Sequence, residues 1–236
     1  AQVVLDLEHR DRLLDYKIEM LDSNTLQGIR YSDNWAREQK VHFYMKFSEK
    51  IQNITFNEKR SVAGISFGKL QKPLLIKVGL SAVSTEGAKA NLQAEIPHWD
   101  FEKTKAETTD LWEKELSKII VEGKSETQKE IFYTALYHSL LNPNLYVDVD
   151  GYYNGTDLKK HHTDDKHYTI FSLWDTFRAT HPLFTLIQQE RTNEFIRTFL
   201  RQYKEGGQLP IWELAANYTG CMIGYHAIPV IADAYV

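Results

Sequence analysis

The chain changes texture once, near Pro97, and that change constrains the fold more than any other feature of the sequence. Over residues 3–96, apolar and β-branched residues alternate with polar ones. The runs 41–47, 61–67 and 74–81 read as strands separated by polar joints at 22–24 and 57–60. No stretch between them is long enough for a helical crossover, so the strands are expected to pair antiparallel, as a sandwich rather than as βαβ units. Residues 87–94 suggest a short helical turn.

After Pro97 the period is helical. Residues 99–118 are rich in Glu and Lys, with apolar positions only at Phe101, Leu111, Trp112 and Leu116, and read as an amphipathic connecting helix. Ser125 to Gln128 is a capping box opening a helix that carries Ile131, Phe132, Ala135, Leu136 and Leu140 and stops at Asn142-Pro143. Residues 145–165 form a polar excursion whose Asp-Gly and Asn-Gly pairs signal a hairpin. Pro182 suits the first position of a further helix. Phe195, Ile196, Phe199, Leu200 and Tyr203 mark another that ends at Gly206-Gly207, and residues 218–236 read as a close-packed interior helix. The fold class is thus α+β in two domains: residues 1–97 an antiparallel sandwich, 98–120 a linker helix, 121–236 a helical domain.

The charge balance excludes one class of partner. With 28 basic against 32 acidic side chains the formal net charge is -4, so no basic excess points to nucleic acid or an anionic membrane. A single cysteine, Cys221, rules out an internal disulfide framework, and its apolar setting predicts an inert core thiol. No apolar run is long enough to span a bilayer, and no signal-peptide pattern opens the chain. Both ends fall inside a structural pattern, strand-like at 1–6 and helical at 230–236, so the chain is expected to be a slice of a longer protein.

Chemistry concentrates in two stretches. The run 171–178, Phe-Ser-Leu-Trp-Asp-Thr-Phe-Arg, sets Asp175 and Arg178 beside Trp174 and Phe177. Three apart on a helix, the two charges could pair with each other. Alternatively, the carboxylate could accept hydroxyl hydrogen bonds from a sugar whose C–H face rests on the indole. Glu213, after Gly-Gln-Leu-Pro-Ile-Trp at 207–212, is either a solvated loop acid or a pocket carboxylate, and His226 is a histidine inside an apolar helix. Residues 161–167, His-His-Thr-Asp-Asp-Lys-His, lack the spacing of a helical zinc pair and contain a lysine, so they read as a solvated loop.

These motifs resemble glycoside hydrolase family 92: the run 171–178, then Gly-Gly-Gln-Leu-Pro-Ile-Trp-Glu-Leu at 206–214, Cys-Met-Ile-Gly-Tyr-His at 221–226 and Val-Ile-Ala-Asp-Ala-Tyr at 230–235, with supporting matches at 78–83, 86–91 and 131–138. The resemblance implies a β-sandwich joined through a helical linker to an (α/α)6 barrel, of which this chain would contain the first part. It implies a calcium-dependent, exo-acting α-mannosidase, acting on α-1,2 linkages with inversion, in bacteria that degrade host glycans and therefore periplasmic, cell-surface or secreted. Asp175 matches the family's sugar-binding aspartate; Trp174, Arg178, Glu213 and His226 match positions expected to line or support the pocket. The catalytic acid and base and the calcium ligands are expected beyond Val236. Two other readings stay open on the residues alone: a noncatalytic carbohydrate-binding scaffold, and another (α/α)6 enzyme such as a glycoside phosphorylase.

Overall fold

The computed structural model describes residues 1–235; Val236, the end of the expected C-terminal helical pattern, lies outside the described residues. The chain divides into two units. The first comprises Ala1–Trp99, Tyr146–Asp164 and Ala215–Asn217, and the second Asp100–Leu145, Asp165–Leu214 and the chain from Tyr218 onward.

In the first unit, alternation along the chain produces two antiparallel sheets. One runs β2 (Arg12–Asp22), β3 (Thr25–Asp33), β4 (Gln39–Phe47) and β7 (Ile76–Ser81); the other runs β1 (Gln2–Asp6), β6 (Val62–Ser66) and β5 (Asn53–Phe56). Leu26 and Phe47 from the first sheet meet Ala63, Ile65 and Phe67 in one buried cluster, with the rings of Phe47 and Phe67 4.9 Å apart. Each of the larger side chains among them stabilises the unit by about 1.5–3 kcal/mol on leaving water. The turn expected at 87–94 is a full helix, α1 (Thr85–Glu95). Ser84 caps it by accepting from the Gly87 amide at 3.0 Å, and Ala88 and Leu92 bury against Tyr44 of β4. The excursion returns to this unit as a hairpin. A turn at 148–151, closed by the Gly151 amide donating to the Asp148 carbonyl, leads into β9 (Tyr152–Asn154), which pairs with β10 (Lys160–His162).

The second unit is helical. Asp100 caps α2 (Phe101–Leu116), in which no residue is buried, as its sparse apolar positions foretell. Ser125 caps α3 (Glu126–Ser139) by accepting from the Gln128 amide at 3.3 Å. Two-residue strands β8 (Asn144–Leu145) and β11 (Tyr168–Thr169) pair, and β12 (Phe171–Ser172) pairs with β13 (Trp212–Leu214). Between these lie α4 (Leu173–Thr176), α5 (Thr180–Ile187) and α6 (Gln189–Gly206). Pro182 occupies the third position of α5 rather than the first, still within the turn whose amides lack helical partners. Thr192, Phe195, Phe199 and Gln202 recur at helical spacing on the buried face of α6, and Gly207, at φ 79, closes the helix in the left-handed region. The core gathers Tyr168, Phe171, Leu173, Phe184, Phe195 and Phe199, with aromatic rings meeting edge to face.

The last segment differs from expectation. Residues 219–226 are irregular, with left-handed Gly220 and Gly224, and α7 (Ala227–Tyr235) begins only at Ala227. Cys221 is consequently exposed, its Sγ 3.2 Å from the Thr219 hydroxyl, and is not a core thiol. Among the described residues no helix is long and apolar enough to cross a membrane.

Candidate functional site

The run 171–178 is anchored by alternate residues. Phe171 and Leu173 are buried in the core of the second unit, which leaves Trp174, Asp175 and Arg178 exposed on α4 and just beyond it. The Ser172 hydroxyl donates to the Asp175 carboxylate. The Arg178 guanidinium lies 4.8 Å from the Trp174 ring centroid and 5.3 Å from that of Phe177. The pairing of Asp175 with Arg178 that their spacing allowed does not occur among the described residues. Because α4 ends at Thr176, the two charges never share a helical face. Arg178 instead presents its cation to two aromatic faces, a contact worth about 0.5–1 kcal/mol at an exposed site.

Glu213 is the opposite case. Only 2% of its surface is exposed. Its Oε1 accepts from the Thr169 hydroxyl at 2.7 Å and its Oε2 from the Ile170 amide at 3.1 Å. It is neither a solvated loop acid nor one of the residues around the cavity described below; it is a buried acceptor facing the backbone that leads into the run 171–178. His226 precedes α7 instead of lying within a helix. Its half-buried ring sits 4.3 Å from the Phe177 ring, and its Nδ1 is buried without a hydrogen-bond partner among the described residues.

A cavity of about 360 Å³ borders the same run, lined by Ser139, Asn142, Ser172, Thr176, His181 and Trp212 among others. None of Trp174, Asp175, Arg178, Glu213 or His226 borders it. His181 is the residue there that sequence reasoning passed over. It is 2% exposed, its Nδ1 has no hydrogen-bond partner among the described residues, and burial pushes its pKa down to about 4, so the ring is neutral at ordinary pH. Its one signal in the sequence is an imidazole flanked by the apolar positions of α5.

The run 161–167 is not the solvated loop it resembles. His161 Nε2 lies 2.8 Å from Asp157 Oδ1 within the first unit's hairpin. In the second unit, Arg201 donates to the buried His167 ring at 3.3 Å, while Arg197 and Arg201 both hold Asp165. Asp148, also unremarked in the sequence, is buried in the first unit. It accepts from the Ser81 hydroxyl at 2.6 Å and from Asn91 Nδ2 at 2.8 Å, and burial pushes its carboxyl above the usual range despite those bonds. Gly87 must stay small there, since a Cβ at that position would sit 2.2 Å from Asp148 Oδ2.

Calcium takes six to eight oxygen ligands. Among the described residues no group of three or more His, Cys, Asp or Glu side chains could hold a metal ion, so no calcium ligand is assigned to this chain.

Residues 87–236 match the model of the glycosyl hydrolase family 92 catalytic domain. No curated protein matches the chain. Among solved structures, the family 92 α-mannosidase BT3965 from Bacteroides thetaiotaomicron superposes with a TM-score of 0.86 at 35% identity, over 92% of this chain and 32% of that one. The same enzyme in complex with mannoimidazole matches at 0.86 and 35%, over 92% and 31%. The family 92 inverting mannosidase BT2199 from Bacteroides thetaiotaomicron VPI-5482 matches at 0.88 and 26%, over 99% of this chain and 34% of that one. The chain therefore spans about a third of the length of these relatives.

Proposed function

Because the chain belongs to glycosyl hydrolase family 92, we propose that its protein is an exo-acting α-mannosidase, removing terminal mannose from α-1,2 linkages with inversion and with calcium. The observation that carries this reading is the pair of exposed neighbours Trp174, itself 38% exposed, and Asp175 on a run pinned by the buried Phe171 and Leu173. A pyranose offers an apolar C–H face and a rim of hydroxyls, and an aromatic ring with a neighbouring carboxylate answers both. Asp175 is assigned the hydroxyls of the terminal mannose and Trp174 its C–H face. Arg178 steadies the indole by lying over it, and Glu213 and His226 support the run from behind. The mannoimidazole complex of BT3965 and the inverting class of BT2199 favour the same sugar and the same stereochemistry.

Inverting hydrolysis needs an acid and a base on opposite faces of the sugar, about 6.5–9.5 Å apart. Neither role is assigned to a residue of this chain, whose part is to bind and orient the substrate, and no step is derived through calcium. The finer architecture belongs to the same proposal: a sandwich at 1–97, a linker helix at 98–120 and the first part of an (α/α)6 barrel at 121–236. So do a periplasmic, cell-surface or secreted location and N-glycans as the source of the mannose.

The test is release of mannose from α-1,2-mannobiose by the protein as encoded, with calcium present, followed by NMR of the first anomer formed. The β-anomer is expected, and chelation should abolish the release. No mannose under these conditions sinks the proposal, and mannose phosphate formed only with added phosphate would assign a phosphorylase instead.

A further inference from the structure

We propose that Glu213 is the positioning residue of the sugar site: its buried carboxylate holds a left-handed corner at Ile170, and that corner aims Trp174 and Asp175. The inference rests on the sugar-binding reading of the run 171–178.

The corner is where the chain changes partners. Tyr168 and Thr169 pair with Leu145 and Asn144 of β8, whereas Phe171 and Ser172 pair with Glu213 and Trp212 of β13. One residue, Ile170, makes the passage, and it does so at φ 69. A β-branched side chain strongly disfavours that region of backbone space, so the conformation persists only where surrounding contacts over-determine it. Glu213 binds the residue that leads into the corner and the corner itself, accepting from the Thr169 hydroxyl and from the Ile170 amide. The β12–β13 pairing and the Leu173 amide, which donates to the Ile211 carbonyl at 3.1 Å, carry the alignment into α4.

The direction set at residue 170 is inherited four and five residues later. Phe171 and Leu173, buried in the core, lie between the corner and the pair, so a shift at the corner reaches Trp174 and Asp175 through those two anchors. Glu213 thereby acts on the sugar without touching it. A glutamate held only for stability would not need to bond both the last residue of one strand pairing and the residue that makes the change of partner. Removing it would lower stability without altering the orientation of residues that still fold.

The experiment compares wild type, Glu213→Gln, Thr169→Val and the double variant Glu213→Gln/Ile170→Gly in the protein as encoded. It reads the Kd for mannoimidazole and the amide exchange of residues 171–173. Glu213→Gln is expected to raise Kd at least tenfold and to speed exchange at 171–173 at least tenfold, with exchange in α6 unchanged. Adding Ile170→Gly should recover part of the affinity, because glycine enters the left-handed region without penalty. Unchanged affinity with only a lowered Tm, or no recovery in the double variant, overturns the proposal. If Glu213→Gln does not fold, Thr169→Val decides: it removes one of the two bonds and should raise Kd about threefold, and an unchanged Kd overturns the proposal. If wild type itself binds no mannoimidazole, the sugar-binding reading fails separately. The exchange data then judge the corner alone, and unaltered protection at 171–173 in Glu213→Gln overturns it.

Discussion

Lowering the pH from 7 toward 4 should destabilise the second unit through His181 in particular. Its ring packs edge-on against Phe184, Phe195 and Phe199 at centroid distances of 6.2, 6.0 and 6.4 Å, and burial is the sole cause of its depressed pKa. In the unfolded chain the imidazole takes up a proton near pH 6.5; in the fold it resists until about pH 4. The unfolded state therefore binds more protons across that window, so the stability associated with the neutral ring is fully present above pH 6.5 and drains away as pH falls toward 4. At about 1.4 kcal/mol per pH unit, the displacement amounts to roughly 3 kcal/mol, a large share of the stability of an ordinary domain. The assay is NMR titration of the histidine Cε1–H signals, with His181→Leu identifying the resonance, alongside amide exchange of α6 at pH 7, 6 and 5. Leu removes both the titration and the unpartnered Nδ1, so it should flatten the loss of α6 protection over that range. A His181 signal that titrates near 6.5, or a Leu variant that loses protection as steeply as wild type, would refute the reasoning.

Two further substitutions separate site from scaffold. Asp175→Ala removes an exposed carboxylate that, among the described residues, is bonded locally by Ser172, so Tm should hold. Loss of a charged hydrogen bond worth about 1.5–3 kcal/mol should cut kcat/KM for α-1,2-mannobiose roughly tenfold to hundredfold; an unfolded variant, or one with full activity, contradicts the assignment. Asp148→Asn should destabilise the first unit by about 1–3 kcal/mol in denaturant unfolding. Ser81 Oγ already accepts from the amides of Val83 and Ser84 at 2.9 and 3.2 Å, so it must donate its proton to residue 148 and cannot accept one from an amide there. An Asn variant as stable as wild type would show that the tie contributes nothing.

What the sequence made legible was local. Ser125 and Gly207 delimit helices through bonds spanning three or four residues, and strand alternation needs only neighbours. The helix α1 was underestimated because its cap, Ser84, lies outside the apolar pattern that suggested the turn at 87–94. The Asp175–Arg178 pairing presumed a helix long enough to bring residues three apart onto one face, and α4 has only four residues. The decisive contacts of the site were invisible for a different reason. Glu213 finds Thr169 at a separation of 44 residues, and Asp148 finds Ser81 at 67. A lone acid in a polar or aromatic loop carries no mark of which distant hydroxyl or amide will meet it.

Asp148 has a further consequence, for the order in which the molecule is made. Ser81 and Asn91 are translated 67 and 57 residues before the carboxylate they bind. At a synthesis rate of about 5–20 residues per second, Ser81 waits roughly 3–13 s for its partner. The strands β1 to β7 can pair in that interval, but the junction of β7 with α1 stays incompletely satisfied until α2 and α3 have been synthesised. This tie of the first unit can thus form only after α2 and α3 of the second have been synthesised.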